Sequence, residues 1–567
     1  MAERRIRDTF NQRFFDIPKY QRGFAWERTH VRELYEDIIE SIETKSEHYL
    51  GTLVLSKNPN EEDHYYIVDG QQRIITITLF VNEVIKHLSR HDRVFYRRFY
   101  IAEEGDLYRL RTLGKDRQYL YDLLKGKVNI TQNRSQRLLK EAYEEIKNIV
   151  NSLNDKKNFL NYIERLEVME FIEQSEGDAI RIFQTVNDRG KLLSNMEKAK
   201  SLLIYFSNRY LDKKLDDRIN EIFGDIFENY DDIKHIGEKE GVDLISGKNF
   251  NEDSIMRQHF VTFSDENYDA TAEYVLDYLK RNLVIMRNEG DRRKRMEDFI
   301  SSYAESLLRY FISLKSILVR VSRSPKYYRL FVILGPSTYL YPLIVKLEML
   351  GKLNQKLPGR KFARYTFLDL IELIDVRVYK TKGTDPRADI SRFAYQLNQK
   401  WTDEALRDWL LEYNRDWMPR GTFEVFLQDW IYGNQALVHI FTKYCEKLQN
   451  KPFTLNELKA IEETAPTIEH ILSREPKFTF KSVGFKGTDD FEAYANTLGN
   501  LSVVEKGINS AAQNKMPLEK VPYYDTSKYK MTQTLATSIS ANKNFTKQDI
   551  NSRTNELSNY ILDTWWC

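Results

Sequence analysis

An acidic residue next to a histidine, followed further along by two asparagines, is the feature of this chain best suited to chemistry. The pair is Glu469-His470, and the asparagines are Asn500 and Asn509. A histidine can take a proton from water, and the oxygens of Glu and Asn side chains can hold a hard cation such as Mg²⁺ against a phosphate. The order and spacing of these residues are typical of a one-metal nuclease centre.

The same residues also have an ordinary structural interpretation. A lone Glu-His pair is more often a helix-surface acid beside a buried histidine, and this alternative applies to Glu469 and His470. Two lysines of the same segment, Lys515 and Lys520, favour the nuclease interpretation because lysines can contact phosphates.

A second constellation of polar residues lies near the start of the chain. Asp69-Gly70 ends a predicted strand, and Gly70 allows a tight turn into the following helix. The free N–H groups at the start of that helix can bind an anion, and the guanidinium groups of Arg22 and Arg73 can bind phosphate oxygens. The set predicts a site for a nucleotide or a DNA phosphate; a buried polar network with Arg73 paired to Asp69 fits the spacing equally well. The full set comprises Tyr20, Gln21, Arg22, Asp69, Gly70, Gln71, Gln72 and Arg73.

Composition limits the classes of protein to which the chain can belong. Its 567 residues are 30% charged and 41% hydrophobic with a formal net charge of +2, which predicts a soluble protein of several domains without a global basic surface. The chain has two cysteines, Cys445 and Cys567, and an N-terminus without the apolar segment of a signal peptide, so a cytoplasmic location is expected. The longest apolar stretch, 330–350, contains prolines and charged residues and predicts a buried helical hairpin without contact with a membrane.

Periodicity predicts an α+β chain of three parts. Residues 1–102 read as a mixed α/β domain, residues 103–424 as a mainly helical region, and residues 425–567 as a separate unit that holds the Glu469-His470 pair. In the first part, strands are predicted over 49–55 and 65–68, and helices over 29–43 and about 72–88. The helical region is interrupted by a turn signal that carries Asn187, Arg189 and Gly190.

Several motifs of the chain, taken in order, resemble GmrSD-type modification-dependent restriction endonucleases. The motifs are IPKYQRGFAW, HYLGTLVL and YYIVDGQQRIITITLF near the N-terminus, IFQTVNDRGKLLSNMEKAK in the helical region, and TIEHILSRE with LGNLSVVEKGINSAAQNKMPLEK near the C-terminus. The motif in the helical region, usually Phe, Asn, Arg, Gly, Leu and Lys in the family, falls on Phe183, Asn187, Arg189, Gly190, Leu193 and Lys200. A single chain with both halves resembles the fused form, similar to phosphorothioate-sensing Ssp-type effectors.

The resemblance implies a ParB/sulfiredoxin-like N-terminal domain, a large helical middle and a C-terminal ββα-metal nuclease domain of the HNH type. In that fold a hairpin presents the acid–histidine pair and a helix presents the last ligand. Glu469 and Asn509 are therefore expected to bind Mg²⁺ or Mn²⁺, His470 to act as general base, and Asn500 to fix the loop and orient His470. The family often has a proline a few residues after the histidine, and Ser473 stands there in this chain.

By the same resemblance, the first domain binds and hydrolyses a nucleoside triphosphate, GTP or ATP, and senses modified DNA. The nucleotide motif falls on residues 69–73, with residues 20–22 nearby, and the last domain cuts or nicks double-stranded DNA. This predicts a nucleotide-regulated, modification-dependent endonuclease directed against phage, and a homo-oligomer is compatible with it. Two alternatives stay open: a nucleotide-switched DNA-binding clamp with a non-catalytic C-terminal module, and a constitutive nuclease in which residues 71–73 only join strand to helix.

Overall fold

The chain divides into two compact units in the computed structural model. The first unit comprises Met1–His235, Phe250–Arg257 and Ala270–Lys315, and the second unit comprises Ile236–Asn249, Gln258–Asp269 and Ser316–Cys567. These boundaries differ from those of the three predicted parts: residues 103–235 of the predicted helical region belong to the first unit, and residues 316–424 belong to the second unit together with residues 425–567. The structure describes residues 2–18, 21–44, 48–59, 61–103, 106–112, 116–127, 130–174, 179, 194–287, 291–429, 431–475 and 477–565.

A mixed six-stranded sheet organises the first unit, in the order β1-β8-β3-β4-β2-β7. β3 pairs parallel with β8 and antiparallel with β4, while β2 lies parallel to both β4 and β7. The strands of the described residues are β1 (Ala2–Arg5), β2 (Phe14–Ile17), β3 (Tyr49–Lys57), β4 (His64–Asp69), β5 (Ala102–Glu103), β6 (Leu107–Tyr108), β7 (Leu110–Thr112), β8 (Glu167–Glu173), β9 (Thr467–His470) and β10 (Leu501–Val504).

The predicted N-terminal elements are confirmed, but the sheet extends beyond them. β3, β4 and the helices Arg28–Thr44 and Gln71–Ile85 each cover a predicted element within a few residues. β7 and β8 follow residue 102, the predicted end of the first domain, and still belong to the same sheet. β8 lies next to β3 at the centre of the sheet, a pairing between residues far apart in sequence that local periodicity cannot indicate.

The helix Gln71–Ile85 is the most buried helix of the first unit. Nearly all of its residues are buried, including Ile74, Ile77 and Phe80, as expected for a helix that is apolar on all sides. It packs against the helix Arg134–Ser152. The other helices of the first unit are Ile6–Phe10, Arg28–Thr44, Arg90–Tyr96, the π-helical turn Arg97–Ile101, Arg117–Leu124, Lys156–Arg165, Asn195–Tyr210 and Ala272–Arg287. Asp216–Glu240, Glu252–Phe263 and Arg292–Val321 have residues assigned to both units.

The second unit is mainly helical and contains one small sheet, β9 with β10. Its C-terminal core includes Ile471 and Leu472 just after β9, Val504 at the end of β10, and Ile550 of the helix Lys547–Trp565. Its helices are Asp243–Ser246, Pro325–Tyr328, Arg329–Leu334, Thr338–Leu340, Tyr341–Met349, Arg360–Phe362, Phe367–Ile374, Asp375–Thr381, Arg387–Gln396, Asp403–Trp417, Arg420–Gln428, Leu437–Gln449, Leu455–Glu462, Phe480–Val483, Thr488–Ala495, Leu498–Asn500, Lys506–Ala512, Pro517–Tyr524, Lys530–Asn542 and Lys547–Trp565.

The apolar stretch 330–350 is buried in this unit, as predicted. It forms the π-helical turn Arg329–Leu334 and the helix Tyr341–Met349, and Gly335, with φ +60°, separates them. Among the described residues, no helix has both the length and the apolar character needed to cross a membrane.

Candidate functional site

The pair Glu469-His470 ends β9, beside β10. β9 and β10 are antiparallel, with Glu469 opposite Ser502 and His470 opposite Leu501. Successive side chains of a strand point to opposite faces, so Glu469 and His470 have different surroundings although they are neighbours. The helix Lys506–Ala512 follows β10 and contacts β9, so a strand, a second strand and a helix meet at the pair.

His470 is held by Asn496, a residue that is not among the predicted site residues. Nε2 of His470 lies 3.0 Å from Oδ1 of Asn496. An amide oxygen can only accept, so Nε2 carries the hydrogen and Nδ1 keeps its lone pair. The main-chain oxygen of Asn496 accepts from the N–H groups of Ile431 and Tyr432 at 3.1 and 3.3 Å. Because Nε2 already carries its hydrogen, Nδ1 is the nitrogen of His470 that can take a proton.

The surroundings of His470 keep its imidazole neutral. Burial lowers the pKa of His470, the hydrogen bond with Asn496 raises it, and the charges of Arg474 and Lys520 lower it, with a net decrease. The ring of Tyr432 lies 4.4 Å from the imidazole, centroid to centroid. A neutral imidazole at neutral pH is the form that a general base requires.

Asn500 fixes the loop that follows His470. Its side chain is completely buried; Nδ2 donates to the main-chain oxygens of Leu472 at 3.0 Å and Ala495 at 2.8 Å, and Oδ1 accepts from the N–H of Leu472 at 2.8 Å. The predicted contribution to loop geometry agrees with these contacts. The side chain that contacts the imidazole, however, is that of Asn496, so Asn500 acts on the loop.

Glu469 is buried in an ion pair with Lys520. Nζ of Lys520 lies 2.7 Å from Oε1 of Glu469 and also donates to the main-chain oxygen of His470 at 2.7 Å. The hydroxyl of Tyr524 donates to the same carboxylate oxygen at 2.9 Å. The side chains of Lys520 and Glu469 are 0% and 5% exposed. The sequence predicted Lys520 as a contact to a DNA phosphate, but its buried side chain is not placed for that contact. It stabilises a buried carboxylate and fixes the end of β9.

Asn509 and Lys515 lie on and just beyond the helix Lys506–Ala512. Nδ2 of Asn509 donates to Oγ1 of Thr467 at 2.8 Å, which fastens this helix to the start of β9. Lys515 is half-buried, and its Nζ donates to the main-chain oxygen of Ala511 at 2.5 Å. Of the two predicted phosphate contacts, Lys515 is the one with an accessible side chain.

The oxygen ligands predicted for a cation come from neighbouring elements. Carboxylate and amide oxygens are the donors that Mg²⁺ prefers, and Glu469 and Asn509 supply one of each. In the part of the chain that the structure describes, Oε2 of Glu469 and Oδ1 of Asn509 accept no hydrogen bond, and no group of three or more His, Cys, Asp or Glu side chains is arranged to hold a metal. The donor types fit the ion, although Lys520 already neutralises the carboxylate.

The N-terminal constellation is centred on the junction between β4 and the helix Gln71–Ile85. Gly70 makes the turn with φ +96°, and a Cβ there would lie 2.9 Å from Cδ1 of Leu53. Arg73 reaches back across this turn: Nη2 lies 3.4 Å from Oδ2 of Asp69, and Nη1 donates to the main-chain oxygen of Leu50 at 3.0 Å. This is the Asp69–Arg73 pairing of the structural alternative.

Gly51 makes room for that guanidinium and was not predicted. Its φ is +115°, and a Cβ there would lie 2.0 Å from Nη1 of Arg73. Burial raises the pKa of Asp69, the charge of Arg73 and the N–H of Gly70 lower it, and the net change is an increase. The motif therefore combines a partly desolvated carboxyl with a fixed guanidinium.

Glutamines of the motif join the helix Gln71–Ile85 to the loop at residues 22–25. Gln72 accepts from the N–H of Ala25 at 2.9 Å and donates to the main-chain oxygen of Gly23 at 3.2 Å. Gln71 donates to the main-chain oxygen of Arg22 at 3.2 Å, and its buried Oε1 has no hydrogen-bond partner among the described residues. Gln21 donates to the main-chain oxygen of Val68 at 3.1 Å. These bonds are structural, and Gln71 keeps one free acceptor.

Arg22 lies among acidic side chains rather than beside an open anion site. Its Nε is 3.5 Å from Oε1 of Glu197. Burial opposes the charge of Arg22, but Glu197, Glu252 and Asp231 raise its pKa above the ordinary value. The cavity that Arg22 and Gln71 line has a volume of about 60 Å³, below the ~300–1,000 Å³ of ligand pockets.

Two predicted features lie outside the described residues: Tyr20, and the motif with Asn187, Arg189 and Gly190. Lys200, the last residue of that motif, is buried on the helix Asn195–Tyr210.

Comparison with known families gives two matches. The model described as GmrSD restriction endonuclease, N-terminal domain, matches residues 6–204, and the model described as GmrSD restriction endonucleases, C-terminal domain, matches residues 423–560. The first match includes five strands of the six-stranded sheet, all but β1, and the second includes Glu469, His470, Asn496 and Lys520. No curated protein matches the chain. The two matches together cover more than half of the 567 residues, and the chain belongs to the GmrSD restriction endonuclease family.

Proposed function

We propose that this protein is a nucleotide-regulated, modification-dependent DNA endonuclease or nickase that acts against phage. Its family domains are those of a DNA restriction endonuclease. The observation that carries the proposal is the hydrogen bond between His470 Nε2 and Asn496, because it fixes the tautomer in which Nδ1 can take a proton from water.

In this proposal His470 activates the water that attacks the scissile phosphate. Nδ1 accepts the proton, and the positive charge that develops on the imidazole is stabilised by the amide oxygen of Asn496. Mg²⁺ or Mn²⁺, when bound by Glu469 and Asn509, would neutralise charge on the phosphate. Asn500 keeps the loop after His470 in place, and Lys515 contacts the DNA backbone.

We assign the regulatory nucleotide, GTP or ATP, to residues 69–73 with Gln21 and Arg22 beside them. The support is the positive φ of Gly70, the fixed guanidinium of Arg73 and the free acceptor of Gln71. A nucleoside triphosphate is larger than the cavity of about 60 Å³, so binding requires its lining side chains to move. Such movement would connect nucleotide binding to the rest of the first unit.

The nucleotide-switched clamp remains the second candidate because of one contact. Lys520 occupies one oxygen of Glu469 at 2.7 Å, and an ammonium there competes with a divalent cation for the carboxylate. In a clamp this ion pair would be permanent, and the second unit would bind DNA without cutting it. The constitutive nuclease is a third candidate, because the hydrogen bonds of Arg73 and Gln72 join strand to helix and need no nucleotide.

Supercoiled plasmid separates these functions. The protein is incubated with plasmids that carry defined modifications or none, in Mg²⁺ or Mn²⁺, with and without GTP or ATP. Regulated nuclease activity predicts nicked or linear product that depends on both nucleotide and modification. Binding without product in every condition would establish the clamp, and product that is indifferent to nucleotide would establish the constitutive nuclease.

The metal ligands are tested separately. Glu469→Ala and Asn509→Ala each remove an oxygen ligand, so both should raise the Mg²⁺ concentration that cleavage requires. Asn542→Ala, at an exposed position of the same unit, serves as the control. Undiminished cleavage in excess chelator would rule out the metal centre.

A further inference from the structure

A surface of the first unit, away from residues 69–73 in sequence, combines exposed aromatic rings with arginines. A groove of about 940 Å³ lies along the helix Arg90–Tyr96 and the π-helical turn Arg97–Ile101. Phe95 and Phe99 line it, with ring centroids 6.1 Å apart and planes inclined by 24°. Phe95 is 47% exposed, so this stacked pair presents an apolar platform to solvent.

The arginines of this groove are available to a ligand. Arg90 and Arg98 are exposed, and within the described part of the chain neither side chain makes an ion pair or a hydrogen bond. Arg109, by contrast, is buried and paired with Glu103 at 2.5 Å, the one acidic side chain among the described lining residues. The groove therefore has a local positive charge in a protein whose formal net charge is only +2.

We propose that this groove, formed by Arg90, Phe95, Arg98 and Phe99, binds single-stranded DNA. Aromatic rings that accept stacked bases next to cations that follow the phosphates are the combination that single strands require. Paired bases of a duplex do not present their faces, so the platform selects unpaired nucleotides. The proposal rests on DNA as the family's substrate and does not depend on the chemistry of His470.

The binding is tested with the full-length protein in EDTA, so that a failure of the nuclease proposal has no effect on the result. The probe is a fluorescent oligothymidylate, and its anisotropy is measured over a range of salt concentrations. The test variants are Arg90→Ala with Arg98→Ala, and Phe95→Ala. The matched control is Arg292→Ala with Lys294→Ala, which removes the same charge from exposed positions that also belong to the first unit.

The double arginine variant should reduce the slope of log Kd against log salt by about 1.4, since each phosphate contact on a single strand contributes ~0.7. Phe95→Ala should weaken binding by about 5- to 150-fold, the range for loss of one stacked base, and Phe95→Tyr should restore it. Equal effects of the control pair would overturn the proposal, as would equal competition by duplex DNA. A change of oligomeric state in Phe95→Ala without a change in DNA affinity would assign the groove to protein contacts instead.

Discussion

Removing the side chain of Asn496 tests whether His470 acts as a general base. When Nδ1 takes a proton, the ring becomes positively charged, and the 3.0 Å bond from Nε2 to Oδ1 of Asn496 becomes charge-assisted. Bonds to charged groups contribute about 1.5–3 kcal/mol, so Asn496→Ala should slow cleavage roughly 10- to 150-fold. The bonds from Ile431 and Tyr432 end on the main-chain oxygen of Asn496, which alanine retains, so the local fold should survive.

The pH profile distinguishes this role from a merely structural one. The pKa of His470 is lowered by burial and raised by the bond with Asn496. In the proposed mechanism cleavage requires neutral His470, so the rate should rise with pH through this pKa. Asn496→Ala removes the influence that raises the pKa and should move the rising limb to lower pH, with a lower plateau. Asn496→Asp places a negative charge beside the ring and should move the limb to higher pH.

The assay is single-turnover nicking of supercoiled plasmid from acid to alkaline pH, with Asn542→Ala as the control. Circular dichroism of each variant establishes that it is folded. If folded Asn496→Ala nicked at the wild-type rate with an unmoved profile, the hydrogen bond would have no part in catalysis, and the assignment of the Nε2–H tautomer would fail.

Three further predictions concern single residues. Lys520→Met leaves Glu469 buried without its cation and should cost ~3–5 kcal/mol of stability, seen as a lower urea midpoint; an unchanged midpoint would contradict the ion pair. Gly51→Ala places a Cβ 2.0 Å from Nη1 of Arg73 at φ +115°, so it should lower the free energy of unfolding by about 1–3 kcal/mol. It should also abolish nucleotide binding, measured by calorimetry, and normal binding would exclude Arg73 from the site. Burial lowers the pKa of His439 from 6.5 to about 4, so between pH ~6.5 and about 4 the unfolded chain binds a proton that the folded chain does not bind. The free energy of unfolding should therefore fall by roughly 3 kcal/mol as the pH is lowered through that window. His439→Gln should reduce this fall, measured from urea midpoints, and an equal fall in the variant would assign the pH dependence to other groups.

Local patterns in the sequence predicted the elements that carry the two motifs. The short run Tyr65–Val68 followed by Asp69-Gly70 indicated that a strand ends and a helix begins there, and the structure has β4 and Gln71–Ile85 at this place. The positive φ of Gly70 shows why glycine suits the turn. The limit of such patterns is the long-range pairing of β3 with β8, which depends on contacts between distant residues.

Burial is the property that the sequence could not supply at the second motif. Lys520 has the charge of a phosphate contact, but whether an ammonium faces solvent or a buried carboxylate is decided by packing. Asn496 and Asn500 are equally plausible neighbours of His470 from spacing. Only the fold shows that the side chain of Asn496 contacts the ring and that Asn500 holds the loop. The position of Asn496 shortly before the Gly499-Asn500 turn is the one signal in the sequence that could have marked it as a candidate site residue.

The rate of plasmid nicking by His470→Ala tests the central claim most directly. His470 is assigned to water activation, and general bases contribute about 10²–10⁴-fold, so the variant should lose that much activity while its folding and nucleotide hydrolysis stay intact. His87→Ala, at an exposed histidine of the first unit, should nick at the wild-type rate. Nicking by folded His470→Ala at the wild-type rate would contradict the account.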